Sequence, residues 1–234
     1  MSTTTRSPMS APTTPPKAAA TWELARIEAI RMLRHPAPWI GLVLSVWAAY
    51  DSWDEQWSGQ RYTELLSATS PLLLGISLAS VSVFGRELVP VADDAPVDRS
   101  RRSVARLLGG LPLVGVVAVV VAATAVWLRS TGGVPLGDEP GRTLHAQYTL
   151  PELVQPVLLA GLAVAVGAAL VHVLRHRLAA SIVLAVGWFM LGVGYWIFNG
   201  DVLRWITPVQ IQPVGVGIGP ARTDPSTFPS SWLL

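Results

Sequence analysis

The chain contains no cysteine, and of its 17 basic residues only Lys17 is a lysine. The first absence excludes disulfides, thiolate metal sites, iron–sulfur clusters and a cysteine nucleophile. The second excludes a phosphate loop of the GxxxxGK[ST] kind, because no lysine lies within the part expected to fold. ATP, if the protein uses it, must then be bound by another chain. Neither HExxH nor GxSxG occurs, and GVGIGP at 215–220 lacks the strand–turn–helix context of a dinucleotide fingerprint. No catalytic, cofactor or metal residue is therefore expected, and the chain is not expected to be an enzyme. Charge is scarce as well: 14% of residues are charged and 51% hydrophobic, which moves the expected class from soluble to membrane protein.

What is present is a series of apolar runs, read against the roughly 20 residues a helix needs to cross about 30 Å of hydrocarbon. Leu65–Gly85, Leu107–Leu128 and Leu178–Phe198 are free of charge, and Leu153–Leu174 carries only His172. Ala37–Trp53 is shorter, with Trp39 at one end and Trp47, Tyr50, Trp53 and Trp57 at the other, as at two membrane interfaces. The expected fold is an all-α polytopic membrane helix bundle of about five spans, 37–53, 65–85, 107–128, 153–174 and 178–198. The first twenty residues, rich in Ser, Thr and Pro and without the apolar middle of a signal peptide, read as a disordered tail.

The basic residues alternate from loop to loop. Arg6, Lys17, Arg26, Arg31 and Arg34, then Arg86, Arg99, Arg101, Arg102 and Arg106, then Arg175 and Arg177 fall on one side. The positive-inside rule makes that side cytoplasmic, with the amino terminus inside. A net charge of +2 distributed this way reports topology, and no nucleic-acid partner is expected.

Before the first span, residues 21–35 form an amphipathic pattern with Thr21 available as N-cap. Trp22, Ala25, Ala29, Met32 and Leu33 share one face, and Glu23, Glu28, Arg31 and Arg34 lie across from it. Such a helix lies in the membrane surface with Arg31 and Arg34 near the headgroups. Pro36 and Pro38 then break it; the alternative is one continuous kinked helix. In the second span Ser67, Thr69, Ser70, Ser77, Ser80 and Ser82 either line a polar route or pack against other helices, and Pro71 frees backbone carbonyls. In the fourth, Gly161, Ala165 and Ala169 recur every four residues, as do Ala163 and Gly167, spacings that fit a self-interface or an intramolecular contact equally. His172 reads as a surface histidine beside Arg175, not a proton relay.

Between the second and third spans, FGRELVPVADDAPVDRSRRSVARLL carries Asp93, Asp94 and Asp98 ahead of a run of arginines. Pro90 suits the start of a short helix, Pro96 its end, and Asp98 or Ser100 the cap of the next. The stretch is then a compact docking element or, on the plainer account, a solvated turn obeying the positive-inside rule.

With the opening ELARIEAIRMLRHPAPWIGLVLS and five apolar spans in this spacing, residues 21 to about 234 resemble the permease subunits of type-two ATP-binding-cassette (ABC) exporters, particularly divergent actinobacterial ones. By that resemblance Arg86 and Glu87 match the Arg-Glu after the second span, Val91 to Ala95 are the coupling helix that meets the ATPase, and Pro96 to Arg99 match the Pro-x-x-Arg opening of the third span, with Arg101 and Arg102 following. The resemblance implies a separate ABC ATPase subunit that binds ATP, a second permease copy or related permease as partner, and a place in a bacterial cell membrane. Two departures stand out. Asp93 and Asp94 occupy positions usually apolar in the family, and the family has six spans, whereas residues 199–234, with Asp201, Arg204, Arg222 and Asp224 among many glycines and prolines, read as extracytoplasmic or as an incomplete sixth span. The expected function is export driven by ATP hydrolysis in that partner; the alternative is a non-transporting scaffold or regulatory subunit.

Overall fold

The computed structural model describes residues 17–51, 65, 68–88, 99–133 and 147–198. Their regular structure is helical throughout: α1 (Lys17–Leu33), α2 (Pro36–Asp51), α3 (Ser70–Phe84), a 3₁₀ turn (Gly85–Leu88), α4 (Arg99–Gly109), α5 (Leu111–Ser130), α6 (Leu150–Leu174) and α7 (Arg177–Phe198). The all-α bundle expected from the sequence is present. Residues 1–16, 52–64, 66–67, 89–98, 134–146 and 199–234 lie outside the described residues, and with them most of the expected tail, Trp53, Trp57 and Ser67, and the whole carboxyl-terminal segment.

α1 begins at Lys17, so Thr21 lies inside the helix instead of capping it. The strong helix formers Ala18 to Ala20 carry the helix back into the segment read as a tail. The expected break at the two prolines occurs. The indole of Trp39 donates to the Leu33 carbonyl at 2.6 Å, closing the end of α1. His35 Nδ1 accepts the Ala37 amide at 3.3 Å, at the start of α2. Pro36 and Pro38 fall in the first turn of α2, where missing N–H groups have no intrahelical partner to lose.

α3 is the hub, packed by α2, α6, α7 and α1. It is buried around its whole circumference, from Leu72, Leu73 and Ile76 to Val81, Val83 and Phe84, as a helix apolar on all sides must be. Its close approach to α2 needs Gly75. A Cβ there would collide with the backbone of Ala37 and Pro38, and one at Gly41 with the backbone of Pro71 and Leu72. α3 starts at Ser70, five residues later than the expected span, which puts Pro71 in the first turn. Its cap is borrowed: the Thr69 side chain makes no cap bond, while Ser45 Oγ on α2 accepts the Leu72 amide at 3.1 Å.

The surrounding helices turn large apolar side chains outward. Val43, Val46 and Trp47 on α2, Val119 and Val126 on α5, Leu158 on α6 and Ile182 and Phe189 on α7 are all exposed, and the buried residues include Ser45, Ser77 and Ser80. Two helical stretches, Ser100–Ser130 and Leu150–Leu174, are long and apolar enough to cross a membrane; Ser70–Phe84 and Arg177–Met190 are shorter apolar helices.

Candidate functional site

The basic segments that the sequence places on one side of the chain converge at one end of the bundle, around the carboxyl ends of α1, α3 and α6. The core of this end is an acidic residue. Glu28 on α1 is 2% exposed. Its Oε1 accepts from Arg31 Nη1 at 2.9 Å and lies 3.6 Å from Arg106 Nε on α4, while its Oε2 has no hydrogen-bond partner among the described residues. α1 and α4 touch along Ala25, Glu28, Ala105 and Gly109, all buried, and Gly109 faces the Glu28 Cβ and the Ala29 backbone.

This corrects the amphipathic reading of α1. Of the expected apolar face, Met32 and Ala25 are buried against other helices of the chain and Leu33 is half-buried. Glu28, assigned to the polar face, is buried between them, and Trp22, assigned to the apolar face, is 65% exposed. The buried stripe is rotated toward Glu28 because α4 supplies an arginine to meet it. Arg31 and Arg34 remain exposed.

Arg106 also joins α4 to α3, its guanidinium carbon standing 6.0 Å from the centre of the Phe84 ring. The other contact of Phe84 is edge-on with His172 of α6, centroids 6.2 Å apart and planes at 75°. His172 is exposed, in keeping with its surface assignment. The last aromatic of α3 therefore touches both α4 and α6, and α4 is held to α1.

Of the residues the sequence singles out, Arg86 and Glu87 form the 3₁₀ turn directly after α3, with Arg86 exposed. Arg99 opens α4, Arg101 is exposed and Arg102 half-buried on it. Asp93, Asp94, Pro96 and the short helix expected over 91–95 lie outside the described residues. Near Arg86, burial pushes His35 below the usual imidazole value of 6.5, and the Arg86 charge pushes the same way.

Two of the α3 hydroxyls go to helix contacts, while Ser77 Oγ is buried with no hydrogen-bond partner among the described residues. Ser80 Oγ donates to the Val164 carbonyl of α6 at 2.7 Å, and Ser70 Oγ accepts from the Trp188 indole of α7 at 2.8 Å. Of the two small-residue rows on α6, the buried one is Ala163 and Gly167, where a Cβ on Gly167 would press on Ser80. Gly161, Ala165 and Ala169 are exposed, and nothing lies within 4 Å of a Cβ built at Gly161. Contact among the described residues thus uses one row and leaves the other open. Missed from the sequence were the pairing of Glu28 with Arg106, the place of Phe84, and the capping box in which the Thr149 amide and hydroxyl both donate to Glu152 Oε2, at 2.6 and 2.7 Å. The T-x-x-E signal for that box stands in the sequence and starts α6 three residues early.

No protein-family model, curated protein or solved structure matches the chain.

Proposed function

We propose that the chain is the membrane-spanning permease subunit of an ABC exporter, in which helices α2, α3, α5, α6 and α7 cross a bacterial cell membrane and the segment between α3 and α4 meets a separate ATPase subunit. One observation carries this most of the way: the helix leaving that segment, α4, is tied to α1 through Glu28 and Arg106 and to the end of α3 through Arg106 and Phe84. A displacement applied between Leu88 and Arg99 therefore has a mechanical route into the hub helix. Closure of the ATPase subunits around ATP would supply the displacement, and the permease halves would switch access in response. The outward apolar faces of α2, α5, α6 and α7 suit hydrocarbon, and α5, at 20 residues, spans about 30 Å. The basic end then faces the cytoplasm.

Co-expression of a tagged copy with an ABC ATPase from the same genome, followed by purification in mild detergent, tests the assignment. The ATPase is expected to co-purify and its hydrolysis to travel with the complex. Reproducible recovery of the chain alone would leave it a non-transporting scaffold.

A further inference from the structure

Between the α1–α2 break and the α6–α7 turn lies an open cleft of about 640 Å³, lined at its polar side by His35, Ser82, Arg175, His176, Arg177 and Ser181 and at its apolar side by Leu78, Val81 and Leu178. None of its lining residues among those described is acidic. Among the described residues, Arg175 and Arg177 make no ion pair. Arg86, on the adjoining turn, is close enough for its charge to depress the protonation of His35.

The polar groups of the cleft are arranged as donors. His35 Nδ1 accepts from the Ala37 amide, and His176 Nδ1 accepts from the Ala179 amide at 3.2 Å. Each neutral ring therefore carries its proton on Nε2 and offers that N–H outward. The same two bonds place the histidines at the starts of α2 and α7, so two helices of 16 and 22 residues present their positive ends beside the arginines. Arg175 is fixed in the left-handed region at φ 50, with its amide on the Val171 carbonyl at 2.9 Å. The stem of Arg177 crosses directly over Gly85. Two arginines thus stand beside an apolar wall, with no anionic partner among the described residues.

We infer that this cleft binds a phosphate group: guanidinium forks match its oxygens bidentately, and basic pockets between helices at a cytoplasmic surface suit phospholipid headgroups. A lipid phosphodiester would lay its glycerol against Leu78, Val81 and Leu178, whereas a soluble phosphate would use the polar side alone. Occupancy would bridge the α1–α2 break to the α6–α7 turn, two parts of the chain otherwise joined through α3.

The purified full chain in neutral detergent micelles provides the test, with tryptophan fluorescence following thermal unfolding. Phosphatidylglycerol, phosphatidylcholine and inorganic phosphate are titrated separately into the wild type, the Arg175→Gln/Arg177→Gln variant and Arg129→Gln at the end of α5. Phosphatidylglycerol is expected to raise the unfolding temperature more than phosphatidylcholine, and the double variant to need on the order of tenfold more of it, the loss of two solvent-exposed charge pairs. Arg129→Gln is expected to behave as wild type. Stabilisation by phosphatidylglycerol alone identifies a lipid headgroup, and equal stabilisation by inorganic phosphate a soluble anion; either sustains the phosphate site. A response unchanged in the double variant, or no response to either probe, overturns it. Should the double variant fail to fold, the single Arg175→Gln and Arg177→Gln variants are read by the same criteria.

Discussion

Arg106 Nε on α4 stands 3.6 Å from Glu28 Oε1 on α1, with the Glu28 side chain 3% and the Arg106 side chain 12% exposed. A carboxylate so enclosed needs a compensating charge. Arg31 supplies the direct hydrogen bond from its own helix, and Arg106 supplies the link between helices. The pair therefore does little for α1 alone and decides how α4 sits against it.

Glu28→Gln, which leaves the enclosed Arg106 unmatched, is expected to lower stability by roughly 3 kcal/mol, and Arg106→Gln by less, because Arg31 still pairs with Glu28. The double variant should cost clearly less than the two singles together, because it leaves no charge unmatched. Chemical or thermal unfolding in detergent of the four proteins in the cycle measures this. Additive losses would mean that the two groups do not sense one another.

Gly75 and Gly161 separate packing glycines from open ones. Gly75→Ala pushes a methyl into the backbone of Ala37 and Pro38, which α2 cannot yield without moving, and an overpacked contact of this kind costs about 1–3 kcal/mol. Gly161→Ala meets nothing and gains up to about 1 kcal/mol of helix propensity. Unfolding temperatures of the two variants are expected to move in opposite directions. A loss at Gly161 that depends on protein concentration would instead reveal a second copy on that face.

The helices were legible because apolar run length and charge alternation are local: α7 lies within one residue of its expected span at its start and matches its end, and the break before Pro36 follows from two missing donors. α3 starts later than the apolar run because Ala68 and Thr69 form a turn ahead of it, and the signal that sets its first turn, Ser45 capping Leu72, comes from another helix. The buried stripe of α1 was misread for the same reason. Periodicity ranks Glu28 as polar and places it outside, and only the arginine of α4, far along the chain, makes its burial tolerable. The two rows on α6 have identical spacing, so only the position of α3 chooses Ala163 and Gly167 over Gly161, Ala165 and Ala169.

His35 gives the fold a pH dependence. Burial, and then the Arg86 charge, hold its folded pKa below 6.5, and the cleft around it adds Arg175, His176 and Arg177. The unfolded chain takes up the proton near 6.5 while the folded chain resists it, so the neutral ring's contribution is complete above about pH 6.5 and declines as pH falls toward the folded value. His35→Gln is expected to flatten the fall in unfolding temperature between pH 7.5 and 5.5. An unchanged slope would assign the effect to other groups.

The segment outside the described residues, 89–98, admits a test that separates docking from topology. If it meets an ATPase, Asp93→Arg with Asp94→Arg should weaken the association, because opposing charges turned alike cost on the order of several kcal/mol at an interface. Membrane insertion should be unaffected, since acidic residues contribute little to orientation. Replacing Arg99, Arg101 and Arg102 by glutamine should act in the reverse order, disturbing the orientation of α3 and α5 first. Recovery of ATPase with the tagged chain reads the first effect. Labelling of a cysteine introduced at Ser100, which is expected to stay closed to an impermeant thiol reagent in intact cells, reads the second, against a background free of native cysteine. If the aspartate reversal leaves the ATPase bound across a range of salt, the arginines matter only for orientation, and force must reach α4 by a route that does not pass through Asp93 and Asp94.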